Sequence, residues 1–243
     1  RQDVERTRPH PPRVGRVSTR WNAVAHAAGL VDPTGAIRPT IFAEMSALAA
    51  ATGAVNLGQG FPDSDGPEWI RQAAIEAIET GANQYPPGRG IAALRQAIAA
   101  HQRRHYGLAF DPDTEVLVTA GATEALTSAV LALAGPGDEV LTLEPFYDSH
   151  AAAIALAGAT HTTEPLIATP AGFRLDLAAL EAAITPRTRL ILINTPHNPT
   201  GTVLNRSELE AIAAAAIRAD AVIVTDEVYE HLTYDGAVHI PLA

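Results

Sequence analysis

The 243-residue sequence contains no cysteine. That excludes disulfides, thiolate metal sites and a cysteine nucleophile, and it fits a reducing compartment. Lysine is missing too: Lys and Arg together number 17, and all 17 are arginine. The chain therefore has no side-chain primary amine for imine chemistry, because arginine stays protonated at neutral pH. No run of 18 or more apolar residues without charge occurs, so no transmembrane helix is expected. The first stretch, RQDVERTRPHPPRVGRVSTR, is basic and Pro-rich and lacks the apolar core of a secretory signal. An excess of basic charge is absent as well. The net charge is −10, with the acidic residues scattered, which argues against nucleic acid and anionic membranes as partners.

What is present is ample core material: 47% of the residues are hydrophobic. The length is long for one domain and short for two. Residues 1–35 carry Arg, Pro and His without periodicity, and are expected to form a poorly ordered extension. Helices are expected at 40–53, 66–81 and 91–107, closed by Gly53, Gly81 and Gly107. From residue 115 the pattern becomes strand–helix alternation. Strands are expected at 115–121, 135–145, 160–166, 188–195 and 221–228, the third more polar and so at an edge. Helices fall at 123–135, 149–158, 176–184 and 205–220, the last with a Ser207/Glu210 capping box. Apolar strands alternating with helices predict a three-layer α/β/α fold with a mainly parallel sheet. Ligands of such sheets bind outside the carboxyl ends of the strands.

The loop INTPHNPTG, Ile193 to Gly201, leaves one of those ends. Its prolines stiffen it, and stiffness matters when an amide must point at one atom of a ligand. The plainer reading is a Pro-rich turn between strand and helix. The same edge is expected to carry Gly121-Ala122-Thr123-Glu124, Tyr147, Asn194, Asn198, Asp226 and Tyr229. A helix N-terminus of small residues suits a phosphate. An aromatic ring can stack on a planar ligand. A buried aspartate needs a cation, and no basic residue lies near Asp226 in sequence. A protonated ring nitrogen would serve, and an asparagine and a tyrosine hydroxyl can share a phenolate oxygen. A planar ring with a phosphate, a protonatable nitrogen and a phenolate describes pyridoxal 5′-phosphate (PLP).

The stretches NLGQGFPD, NQYPPGRG, TAGATEAL, EPFYDSH, NTPHNPTG and TDEVYEHL, in this order, resemble the class I/II aminotransferases of PLP fold type I. The wording is closest to the branch of the kynurenine and glutamine transaminases and N-succinyldiaminopimelate aminotransferase. The resemblance covers residues 40 to 243 and implies a role for each matching residue. Ala122 and Thr123 would hold the phosphate, and Tyr147 would stack on the ring. Asn198 and Tyr229 would bond the phenolic oxygen, and Asp226 would pair with the ring nitrogen. Tyr85 would reach the phosphate of a neighbouring subunit, making a homodimer part of the site. Gly60 would bring its backbone to the substrate, and Asn194 would brace the loop. Residues 36–64 would form an N-terminal arm and small-domain segment, and 65–243 the large PLP-binding domain, incomplete. The implied activity is transfer of an amino group between an amino acid and a 2-oxo acid, in the cytoplasm.

One departure stands out. The family holds PLP through a lysine that follows the DEVYEHL segment, and this sequence ends at HIPLA. The chain is therefore expected to be an N-terminal fragment, inactive alone, rather than a degenerate protein. A C–S β-lyase of the same fold, a noncatalytic PLP-fold binder and a nucleotide-binding α/β domain are the alternatives. The last is disfavoured because GATEAL does not fit its fingerprint.

Weaker signals have plainer readings. His101 and His105 stand at i and i+4, a spacing that can bind a metal. The glutamate of HExxH is absent, however, and arginines intervene, so a solvated helix face is expected and no metal site is assigned. GRGIAA (88–93) mimics a dinucleotide fingerprint but follows Tyr-Pro-Pro rather than a strand. His197 reads as a loop residue, Ser128 and Ser149 lack a nucleophile elbow, and Glu124 reads as a first-turn acid.

Overall fold

The apolar run TRLILIN can leave neither of its faces in water, and in the computed structural model neither face is. That structure describes residues 19–58, 60 and 64–243. The first 18 residues of the expected extension lie outside it, as do Gln59 and Phe61–Asp63 of the NLGQGFPD stretch. In chain order the helices are α1 (Thr19–Ala27), α2 (Ile41–Thr52), α3 (Glu68–Glu79), α4 (Ala92–Tyr106), α5 (Ala122–Leu133), α6 (Asp148–Ala157), α7 (Leu177–Ala183) and α8 (Arg206–Ala219). The strands are β1 (Glu139–Glu144), β2 (Thr160–Pro165), β3 (Ile167–Thr169), β4 (Gly172–Arg174), β5 (Thr188–Asn194) and β6 (Val222–Asp226).

Four strands form one parallel sheet in the order β2-β1-β5-β6. Side chains alternate across it and build two cores. On one face Leu141, Leu143, Ile191 and Ile193 pack with Leu180 of α7 and Leu209, Ile212 and Ala216 of α8. On the other, Val140, Leu190 and Leu192 pack with Leu126 and Val130 of α5 and Ala153 and Ile154 of α6. Each fully buried Leu, Ile or Val contributes about 1.5–3 kcal/mol. The expected three-layer arrangement is therefore the observed one, with the polar strand β2 at an edge.

Four local expectations are corrected. Residues 115–121 form no strand: a ladder needs a partner, and among the described residues the only backbone bond from this segment to a distant one is Val118 N–H to the Arg89 carbonyl, 3.2 Å. Val118 also explains Gly90. A Cβ at Gly90, whose φ is +90°, would stand 2.6 Å from Val118 Cβ and Cγ2. Residues 19–35, expected to be irregular, contain α1 and a tight turn held by Asp32 Oδ1, which accepts the N–H groups of Thr34 and Ala36. Helix α1 lies against α6, which supplies the packing that its weak periodicity does not announce. The cap of α8 is Asn205 with Glu208, not Ser207 with Glu210. Asn205 Oδ1 accepts Glu208 N–H at 3.1 Å, and Glu208 Oε2 accepts Asn205 N–H at 2.8 Å. The chain turns one residue pair earlier than the Ser/Glu spacing suggested, and Ser207 donates to Asn205 instead. Finally, β3 and β4 form an antiparallel hairpin that no expected element anticipated.

Helices α2, α3 and α4 bury no residue fully. No helix among the described residues is long and apolar enough to cross a membrane.

Candidate functional site

The carboxyl ends of β1, β5 and β6 lie side by side, and each runs into a constrained loop. After β1 come a cis Glu144–Pro145 bond and Tyr147, which caps α6. After β5 come cis bonds at Thr195–Pro196 and Asn198–Pro199. β6 ends on Asp226, which pairs in register with Asn194.

Asn194 is buried and ties the ends of β5 and β6 together. Its Nδ2 donates to the Asp226 carbonyl at 2.9 Å, and its Oδ1 accepts Asn198 N–H at 2.6 Å. The same carbonyl accepts Thr195 N–H at 3.0 Å, and Thr195 Oγ1 accepts Leu204 N–H at 3.0 Å. His197 closes the loop from within. It is 4% exposed, its N–H donates to the Thr202 carbonyl, its carbonyl accepts Gly201 N–H, and its Nδ1 lies 2.8 Å from Thr200 Oγ1. Burial, with His150 beside it, pushes the His197 imidazole down to about 4, against a hydrogen bond to the Pro145 carbonyl that opposes the shift. The ring is neutral at pH 7 and serves the loop, in line with the plainer reading.

Asp226 is 9% exposed. Its Oδ1 accepts Val228 N–H at 3.3 Å, and its Oδ2 lies 3.6 Å from His150 Nε2. That nitrogen, in a residue only 2% exposed, makes no hydrogen bond among the described residues. The Tyr147 ring meets the His150 ring edge-on, 6.0 Å between centroids. His150 was not foreseen as a site residue. The available signal was its spacing, three residues after Tyr147 on a helix, which puts both on one face. Its neighbour His161 is shifted down by burial and bonds Thr142 Oγ1 at 2.8 Å.

A cleft of about 320 Å³ opens between α5 and β6, lined by Ala122, Ala125, Leu126, Asp226 and Val228 among others. Ala122 is the first residue of α5, behind Gly121, whose φ is +84°. Its helix end presents N–H groups that have no partner within the helix. Thr123 is exposed beside it, and Asn198 and Tyr229 are half-buried at the same edge of the sheet. Two expected residues are not brought in: the Tyr85 side chain is fully exposed, and a Cβ at Gly60 would meet no atom within 4 Å.

Residues 52–242 match the family described as Aminotransferase class I and II. The chain belongs to that family. It is 62% identical over 204 residues to the probable N-succinyldiaminopimelate aminotransferase DapC of Mycobacterium tuberculosis, covering 84% of this chain and 51% of that protein. It is 44% identical over 200 residues to methionine aminotransferase of Escherichia coli, covering 82% and 51%. The solved structure of the M. tuberculosis N-succinyldiaminopimelate aminotransferase superposes with a TM-score of 0.81 at 61% identity, over 84% of this chain and 53% of that one. The chain spans about half the length of the curated relatives it matches.

Class I and II aminotransferases depend on PLP, and the residues present fit it. Among the described residues the buried Asp226 carboxylate pairs with no arginine, only with His150 at 3.6 Å, so it can take a cationic ring nitrogen. The same cleft holds the open end of α5, which suits a phosphate.

Proposed function

We propose that the protein carries the PLP-binding half of an aminotransferase that moves an amino group between an amino acid and a 2-oxo acid. The observation that carries this is the shared cleft. A buried carboxylate, Asp226, and the open N-terminus of α5 at Ala122 line one cavity. Bound there, PLP supplies an electron sink for charge developing on the substrate α-carbon.

The chain's own residues prepare that site. Ala122 and Thr123 bind the phosphate through helix N–H groups, and Tyr147 covers the ring. Asn198 and Tyr229 hold the phenolic oxygen, Asn198 with its backbone braced by Asn194. Asp226 keeps the ring nitrogen protonated, and His150, 3.6 Å behind it, positions the carboxylate. Gly60 lies at the substrate side. Residues 36–64 act as an arm and small-domain segment, and 65–243 as the large domain.

A homodimer completes the site, with Tyr85 reaching the neighbouring subunit's phosphate. Supporting this, Tyr85 is fully exposed, and Trp69 and Ile78 of α3 are 73% and 64% exposed. The relative at 62% identity is named for N-succinyldiaminopimelate, which makes an N-succinylated diamino acid the first donor to assay. Cytoplasmic location fits the cysteine-free composition. The 243 residues contain no counterpart of the family's anchoring lysine, so they show no transaminase turnover by themselves.

An absorbance titration of PLP tests the assignment. Asp226→Ala should weaken binding at least about tenfold, the loss of one charge-assisted contact. Equal affinity in both proteins would refute the role of Asp226.

A further inference from the structure

Helix α4 ends in HQRRHY, and its i, i+4 spacing places His101 and His105 on one face. That face is not simply solvated. The turn after β6 brings His231, 130 residues downstream of His101, against both rings. Ring centroids are 4.5 Å apart for His101 and His105, 5.0 Å for His101 and His231, and 5.0 Å for His105 and His231. One nitrogen from each of the three lies within 4.8 Å of the other two. His101 Nε2 and His231 Nε2 face each other at 2.8 Å. Glu230 Oε1 stands 3.8 Å from each of those two nitrogens.

We propose that His101, His105, His231 and Glu230 bind a divalent transition-metal ion of the zinc class. Three imidazoles and one carboxylate make a four-ligand set of the kind zinc takes tetrahedrally. With metal–ligand bonds of about 2.0–2.1 Å, ligand atoms in a tetrahedron stand roughly 3.3 Å apart. The observed 2.8 and 3.8 Å bracket that separation. The His105 and His231 side chains are exposed, so small rotations bring them in without disturbing a core.

The surroundings favour ligation. The Tyr106 hydroxyl hydrogen-bonds Glu230 and so orients the carboxylate. A hydrogen-bonded partner behind a ligating carboxylate is the usual outer arrangement of a metal site. A bound ion would staple the end of α4 to the turn 227–231, closing a long loop of chain. Tyr229 lies on that turn. The site stands on these distances alone and does not depend on the aminotransferase reading.

The test is a titration of chelator-stripped protein with Zn²⁺ against a chromophoric competitor, with Co²⁺ absorption as a geometric probe. One equivalent of Zn²⁺, a raised Tm and the intense visible bands of four-coordinate Co²⁺ are expected. The His105→Gln/His231→Gln protein should bind at least about tenfold more weakly. Its metal-free Tm should match the unmodified protein, since both side chains are exposed. Stoichiometric binding that survives in this variant would overturn the site, as would no binding to the unmodified protein. Should the variant fail to fold, zinc-edge X-ray absorption on the unmodified protein decides. Three imidazole ligands support the site, and fewer overturn it.

Discussion

Asn194 and Asp226 close the β5–β6 ladder as its last register pair, and the side-chain amide of Asn194 donates to the backbone carbonyl of Asp226 at 2.9 Å. The other end of that amide accepts the N–H of Asn198. One buried residue thus fixes the height of the aspartate and the course of the Pro-rich loop. Asn194→Ala leaves a carbonyl short of one donor and an N–H without an acceptor. A loss of about 1–3 kcal/mol is expected. Urea unfolding of the two proteins measures it, and an unchanged midpoint would show that water replaces both bonds.

His197 makes stability depend on pH. Its folded value of about 4 lies below the ordinary 6.5. Above 6.5 both the folded and unfolded forms are neutral, so its contribution is fully present. As pH falls toward 4 the unfolded chain takes up the proton first, and stability declines by up to roughly 3 kcal/mol. His161, also shifted down by burial, adds in the same direction. The measurement is Tm between pH 7.5 and about 4.5. His197→Gln should flatten the slope, and a parallel slope would remove His197 as its source.

Asn205 and Ser207 can be told apart by substitution. Asn205→Ala removes the side-chain half of the capping box on α8, leaves the Glu208 bond to the residue 205 N–H, and should cost about 1 kcal/mol. Ser207→Ala, which touches only the Asn205 side chain, should stay within about 0.5 kcal/mol. A reversed order in denaturant melts would restore the cap that the sequence suggested.

At Gly90 both conformation and space are restrictive. Gly90→Ala places a methyl 2.6 Å from Val118 at a φ of +90°, and should destabilise by about 1–3 kcal/mol. Gly88→Ala, where nothing lies within 4 Å, is the control and should be near neutral. Equal melting temperatures would mean that the 115–121 segment yields.

Much of this was legible in advance, and the failures share a cause. β5 could be read because a run apolar on both faces has few other homes, and its neighbours Asn194 and Asn198 followed from it. Val116–Val118 carries a similar apolar signature, yet forms no ladder, because pairing depends on what lies alongside rather than on the segment itself. Helix α1 was illegible because its support comes from α6, more than a hundred residues away. His150 and His231 escaped notice for the same reason. Each looks ordinary in its own stretch and gains meaning from a partner, Asp226 or His101, that only the fold supplies.

The strand order has a kinetic consequence. Val140 of β1 pairs with Leu190 of β5, fifty positions further on, while the chain between them makes α6, β2, a hairpin and α7. The central ladder, which carries both cores, cannot nucleate locally. Its ends must meet across a long loop before any burial rewards the search, so parallel pairing of this kind is slow to begin. Until β1 and β5 meet, the β2–β1 pair and the β5–β6 pair each keep one apolar edge unpaired, and that interval is when the protein is most open to wrong associations.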